Sequence, residues 1–404
     1  MTLTRDQRLV LISTTLDMFL EGVFVTLPSV SALLSSMPSW ASPLVFSTIP
    51  VGTLIGNLVL GRLTDLRGRK STYMAMLGVY AVGALLILAF TDVYAVLAGL
   101  LITQTAMGGE VPIVLSYIVE SASPELKERL VVLITNVGNV GAVVLSSIAL
   151  IGGGLSQLSG RIAIGALIGL SLGIMAITRS LVPESRPWLS LRPEERGRVV
   201  LGAEARLWLA LLTLMAVSSV LTFGLLALAI GPTEFPRYAL QIVLVYFAGE
   251  VVGGLAAAAL IGRVGSRAFT LWSFAGGLLT SLAAALALSA GVWPFMSLLF
   301  VNGAFTETVW ASRNVLESLS FPATYRATGI ALVRVAPYAL MLASFFLTSS
   351  MGPVQYMAYA TAMWALGAVA SGVWVARGRE VVGLPAPLRP EDLVRAPRAE
   401  ANGP

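Results

Sequence analysis

The chain reads as an all-α membrane protein, with twelve transmembrane helices arranged as two pseudo-symmetric six-helix bundles. Three observations predict this. Its 404 residues are 56% hydrophobic and 12% charged, with a mean hydropathy of +0.85; that is about half the charge of an ordinary soluble domain. The charges gather in short tracts, leaving 22–61, 71–91, 130–160, 207–233, 268–306 and 335–376 without any. A hydrocarbon core needs roughly 20 apolar helical residues to cross, so each tract holds one helix or two. The chain also states one pattern twice. Adding 197 carries Glu110 onto Glu307, Glu120 onto Glu317, Arg129 onto Arg326, Gly68 onto Gly265 and Lys70 onto Arg267. A constant offset over separated positions indicates an internal duplication.

Span one, 8–35, follows two arginines and shows no small-residue cleavage site, so it reads as a retained helix and not a signal peptide. Met37-Pro38 breaks the first long tract before span two, 41–61. Spans three to six follow at 71–91, 94–119, 128–151 and 160–181, closing a first half at 1–182. The connection 183–205 carries Arg186, Arg192, Arg196 and Arg198 beside Glu184, Glu194, Glu195 and Glu204, and reads as a cytoplasmic amphipathic segment on the membrane surface. The second half, 206–376, divides into 206–230, 238–262, 267–289, 293–316, 327–349 and 354–376. Gly291-Val292-Trp293-Pro294 and Met351-Gly352-Pro353 break its two longest tracts. The tail 377–404, rich in Pro, Arg and Glu, reads as disordered. With the amino terminus inside, only Arg161 and Arg237 of 26 Lys and Arg fall outside, and Arg313 and Arg334 fall within spans. The positive-inside rule then gives a multi-pass protein of the cell membrane with both termini cytoplasmic.

Composition narrows the chemistry. There is no cysteine and no histidine. Disulfide and thiol chemistry are excluded, and the commonest zinc ligand and proton shuttle are missing. Any proton carrier is therefore a carboxylate, and no metal, cofactor or catalytic residue is expected. Gly68-Arg69-Lys70-Ser71 lacks the spacing of a phosphate-binding loop. The surplus base lies in loops on one side, pointing to a lipid bilayer and not to nucleic acid.

Six plus six helices joined by a basic loop resemble the major facilitator superfamily. The sharpest match is Gly61-Arg62-Leu63-Thr64-Asp65-Leu66-Arg67-Gly68-Arg69-Lys70, with Leu66 where a basic residue is usual. Its second copy, Gly262-Arg263-Val264-Gly265-Ser266-Arg267, has Gly262 in place of the aspartate. Gly109-Glu110-Val111-Pro112, Tyr117, Glu120, Pro124 and Arg129, with Pro183-Glu184-Ser185-Arg186-Pro187-Trp188-Leu189, resemble the sugar-porter and organic-ion (metabolite–proton symporter) branches. The run from Glu317 through Pro322, Arg326 and Gly329 to Arg334 is closer to the organic-ion branch. The sugar porters' carboxy-terminal Pro-Glu-Thr signature is missing.

The resemblance implies two sets of site residues. Gly61, Asp65, Arg67, Gly68, Arg69, Glu120, Arg129 and Glu184 in the first half, with Arg267, Glu317 and Arg326 in the second, would form a cytoplasmic gate of interhelical ion pairs. The plain alternative is a set of topology signals and surface pairs worth about 0–1 kcal/mol each. The second set is intramembrane. Asp17 and Glu21 stand four apart on one helix face, and Glu250, Glu110 and Glu307 lie in or near mid-span. A charge there costs about 2.5–3.5 kcal/mol on insertion scales and should face a cavity or a partner. Asp17 is the leading proton carrier, with Glu21 pairing with it or sharing its proton. Arg334 would bind an anionic cargo or neutralise Glu307, and Arg313 and Glu317 would pair. Tyr117, Asn57, Asn136, Asn139, Trp310 and Tyr338 would line the cavity or simply pack. The expected protein is a monomeric secondary transporter that moves a small polar metabolite, sugar or organic ion, in symport with protons. An uncoupled facilitator or exporter, or a non-transporting sensor, are the alternatives.

Overall fold

The computed structural model describes residues 3–152, 157–225, 230–348 and 350–395. Twelve long helices occupy them: α1 Arg5–Thr26, α2 Ser42–Arg67, α3 Arg69–Ala89, α4 Val93–Ser121, α5 Lys127–Gly152, α6 Gln157–Leu181, α7 Ala203–Leu225, α8 Ala239–Val264, α9 Ser266–Ala287, α10 Val292–Ser320, α11 Arg326–Thr348 and α12 Pro353–Arg377. Span one is shorter in α-helix than expected, because Pro28 turns the chain into a 3-10 segment at Leu27–Leu33; proline withholds the amide a continuing helix would need. The expected end of span seven, 226–229, lies outside the described residues. Eleven of the helices are long and apolar enough to cross a membrane. The other is α10, which has the length but carries Glu307, Arg313 and Glu317.

The loops between α2 and α3 and between α8 and α9 turn on glycines with positive φ, Gly68 at 100° and Gly265 at 82°. A side chain at either position would be strained. The two glycines stand at the duplicated offset, so the repeat is a repeat of backbone shape. Beside each, one glutamate caps the next helix. Glu184 accepts from the amides of Arg69 (2.9 Å) and Lys70 (3.1 Å), and Glu380 accepts from those of Ser266 (2.7 Å) and Arg267 (3.2 Å).

The two bundles, α1–α6 and α7–α12, meet along α2 against α11 and α5 against α8. Gly61 makes the first seam possible, since a Cβ there would come within 2.4 Å of the Ala331 Cβ. The central connection is wedged against one end of both bundles. Trp188 is buried and donates to the Asp65 carbonyl (2.8 Å), while Gly197 and Val200 bond to Thr324 and Tyr325.

The tail corrects an expectation. Residues 378–395 are ordered and cross the same end of the molecule. Gly383 donates to Glu128 at the start of α5 (2.9 Å), the Pro387 carbonyl accepts from Ala323 and Arg326, and Arg389 pairs with Glu195 at 2.9 Å. Prolines lower the entropy of an extended strand, and each end finds a charged anchor. Residues 396–404 lie outside the described part.

Burial opposes the charge of Glu380, but the Ser266 hydroxyl and the amides of Ser266, Val382 and Arg267 prevail and hold its carboxyl below the usual carboxylate range. Its stabilising contribution is therefore complete above the unfolded value of about 4.3 and is lost as pH falls through the lower folded value. Glu380→Ala should cost about 0.5–2 kcal/mol, as loss of a helix cap does. Melting of the detergent-solubilised protein should show a deficit at pH 7 that narrows in acid.

Candidate functional site

Among the charged side chains in the interior, three clusters differ in how their charges are matched. At the end that carries the α2–α3 and α10–α11 loops, the Arg69 guanidinium is fully buried. It bonds Asp65 at 2.9 Å, Glu120 at 2.9 and 3.1 Å, and the Ala323 carbonyl at 3.0 Å. Glu120 also pairs with Arg326 of α11, and Asp65 accepts from the amides of Ala327 (3.3 Å) and Thr328 (2.7 Å) at the start of that helix. A carboxylate at a helix amino terminus meets the positive end of the helix dipole. Both interactions join the first bundle to the second, so this end is closed.

The second group lies within the first bundle. Arg179 of α6 reaches Asp17 of α1 at 2.8 Å and Glu110 of α4 at 3.3 Å, donates to the Tyr73 carbonyl at 2.6 Å, and stacks on the Tyr73 ring at 4.0 Å. The Tyr80 hydroxyl donates to Glu110, and Asp17 Oδ2 has no partner. One guanidinium thus faces two carboxylates. The third group has the opposite imbalance. Arg313 and Arg334 both pair with Glu317, at 2.7 and 2.8 Å, and both lie over the Trp310 ring, at 4.6 and 5.6 Å.

Between the bundles is a cavity of about 110 Å³. Glu21 of α1, Asn139 of α5, Phe223 of α7, Phe247 and Glu250 of α8, Glu307, Trp310 and Asn314 of α10, and Arg334 and Tyr338 of α11 line it. Asn139 donates to Glu307 across the α5 seam at 2.8 Å. Glu250 and Glu307 are buried, and each has one oxygen without a partner.

Several expectations need correction on position. Asp17 and Glu21 are not paired with each other: Glu21 lines the cavity while Asp17 points into the first bundle, to Arg179. Residues four apart diverge by about 40° round a helix, enough to separate them. Glu110 likewise turns away from the cavity and, unlike its repeat partner Glu307, is tied to a cation. Tyr117 is buried beside Tyr73 and donates to the Pro183 carbonyl; Asn136 donates to the Val251 carbonyl in the α5–α8 seam. Neither lines the cavity. Arg334 is neutralised by Glu317 and not by Glu307.

At the closed end, Arg67 and Arg129 are exposed and form no ion pair among the described residues. Arg267 holds its own bundle by donating to the Gly378 carbonyl. Glu317 lies within one turn of the end of α10, but its partners are Arg313 and Arg334 of its own bundle, so it takes no part in the bridge between bundles. Glu184 works through backbone amides and not through a cation.

Sequence reasoning missed Arg179, assigned to the loop side of span six, and Glu380. A signal existed for the second, since Glu380 follows Glu184 by 196, one residue off the repeat.

The sequence model of the Major Facilitator Superfamily matches residues 9–339. The chain belongs to that superfamily. Among curated proteins, the minor myo-inositol transporter IolF of Bacillus subtilis is 28% identical over 184 residues, 43% of this chain and 42% of that one. The facilitated trehalose transporter Tret1 of Polypedilum vanderplanki is 29% identical over 154 residues, 38% of this chain and 29% of that one. The matches thus span less than half the length of these curated relatives. The proton:xylose symporter XylE of E. coli superposes with a TM-score of 0.78 at 14% identity, covering 94% of this chain and 97% of that one. The E. coli fucose:proton symporter FucP gives 0.70 at 14% identity, with 93% and 100% covered. At these identities the likeness is one of fold.

Removing Arg179 would strand two buried carboxylates, and breaking a buried ion pair costs about 3–5 kcal/mol. Arg179→Gln should therefore lower the melting temperature sharply. Adding Asp17→Asn and Glu110→Gln to the same chain should recover most of the loss.

Proposed function

We propose that this protein is a secondary transporter that moves a small polar metabolite across the cell membrane by alternating access, in symport with protons held on buried carboxylates. The observation that carries the reading is the Arg69–Glu120–Arg326 bridge. It joins the two bundles at one end, beyond a cavity that both bundles line. A site between two rigid bodies, fastened at one end, is what a rocking mechanism requires. The fastened end carries the basic loops, which the positive-inside rule assigns to the cytoplasm, so the state described is closed inwards. The names of the curated relatives and structural neighbours favour transport of a sugar or polyol, and the superfamily fold favours action as a monomer.

The test is solute-driven proton movement in liposomes holding a pH dye, with sugars, carboxylates and amines supplied outside. Alkalinisation by one class, lost in Asp17→Asn or Glu307→Gln, supports symport. Uptake without a pH change, unaffected by either variant, leaves an uncoupled facilitator.

The gate has its own test. The chain has no cysteine, so Ala331→Cys gives a single reporter at the α2–α11 seam. In a Glu120→Gln background its maleimide labelling should speed up by about tenfold or more, since each 1.4 kcal/mol lost from the closed state is a factor of ten. Equal rates with and without Glu120→Gln would rule out the bridge as a gate.

A further inference from the structure

We propose that the central cavity takes an organic cation, a compact ammonium compound whose charge is held by Glu250 and Glu307 and whose hydrocarbon lies against Phe223 and Phe247. This rests on the transport reading above and departs from the sugar or polyol that the relatives' names favour, because the cavity wall is acidic.

The cavity wall leaves acidic groups available and few others. Three carboxylates face the cavity, Glu21, Glu250 and Glu307, and Arg334 is the one basic side chain lining it. Arg334 forms an ion pair with none of the three, although its charge attracts Glu21: its guanidinium is held by Glu317 at 2.8 and 3.0 Å and by Asn314 at 2.7 Å. Glu250 and Glu307 are 2% and 5% exposed, and each keeps an unpartnered oxygen. Buried charge without a partner is expensive, so these oxygens mark where a ligand's positive group would be stabilised most. Glu307 lies within electrostatic reach of both Glu21 and Glu250, so one cation would relieve several repulsions together.

A neutral polyol would need neutral donors and acceptors, and on this wall the amides and the Thr135 hydroxyl are engaged, leaving the Trp310 indole and the Tyr338 hydroxyl. Asn139 donates to Glu307 and Asn136, the Asn314 carbonyl accepts from Arg334, and the Thr135 hydroxyl donates to carbonyls of its own helix. An anion would meet three like charges. The remaining wall is apolar or aromatic, with Phe223 and Phe247 packed edge to face at 5.8 Å. Aromatic faces attract ammonium groups. The cavity's small volume sets the size of the ion, and three carboxylates leave room for a proton beside a singly charged cargo.

The experiment uses the purified full-length chain in detergent, titrated with tetramethylammonium, n-butylammonium, myo-inositol, glucose and lactate, read by calorimetry and by melting temperature. The expected result is saturable binding of an ammonium probe only. Glu250→Gln and Glu307→Gln should each weaken it about tenfold or more, and the exposed Glu125→Gln should leave it unchanged. Binding of myo-inositol, glucose or lactate with no ammonium binding overturns the proposal. So does ammonium binding that survives both cavity variants unchanged. If either variant fails to fold, the other and the wild-type panel still decide. Liposome uptake separates the two readings: an ammonium that binds but is not moved sinks transport and spares the site. A polyol that is moved while no ammonium binds does the reverse.

Discussion

Charge inside a hydrocarbon layer must be matched locally, and the interior of this protein is organised by how each group is matched. The bridge at the closed end is balanced: Arg69 and Arg326 meet Asp65 and Glu120. Behind it the first bundle holds two acids against Arg179, and the second holds two guanidiniums against Glu317. The two imbalances are opposite in sign, and the ion pairs of each stay within one bundle, although Arg334 also lines the cavity between them. The balanced bridge spans the seam and can be broken into pairs that water solvates on opening. An interaction made in only one of two arrangements would bias the equilibrium between them, which is what the proposed gate needs.

The duplication is kept in shape and abandoned in charge. Gly68 and Gly265 hold the same backbone angle, and Glu184 and Glu380 cap the same helix start. Asp65, which grips the amino terminus of α11, has Gly262 as its repeat, and nothing lies against that glycine. The corresponding start of α5 is reached instead by the tail, through Gly383 and Glu128. The tail thus replaces a contact that the second copy lost. A Pro-rich sequence looked unable to fold because disorder is judged from composition, and composition does not register a strap held by backbone bonds at intervals.

The fold was legible because the membrane imposes a coarse rule: charge-free stretches of helical length leave few alternatives. The duplicated loop was legible because glycine at positive φ is a backbone demand visible in one letter. Direction was not legible. Asp17 and Glu21, or Glu110 and Glu307, look equivalent in sequence, and which of them faces a cavity depends on the rotation of each helix against its neighbours. Arg179 escaped notice for a related reason. An arginine one turn inside a helix end can snorkel outwards or turn inwards, and only the positions of Asp17 and Tyr73 on other helices make the inward choice favourable.

The cavity carboxylates belong to different bodies. Glu21 is on the first bundle, and Glu250 and Glu307 are on the second, with Asn139 of the first donating to Glu307. While they are ionised and the cavity is empty, closing the bundles around it brings like charges together in a low dielectric, where repulsion is poorly screened. A proton or a cation placed between them removes that repulsion and attracts both bodies. On the proposed transport reading, occupancy would favour closure through the same groups that bind, with no separate signal passing from site to gate. Coupling of this kind needs only that the acids lie on both sides of the seam, which is the feature that distinguishes Glu21, Glu250 and Glu307 from the paired acids buried within each bundle.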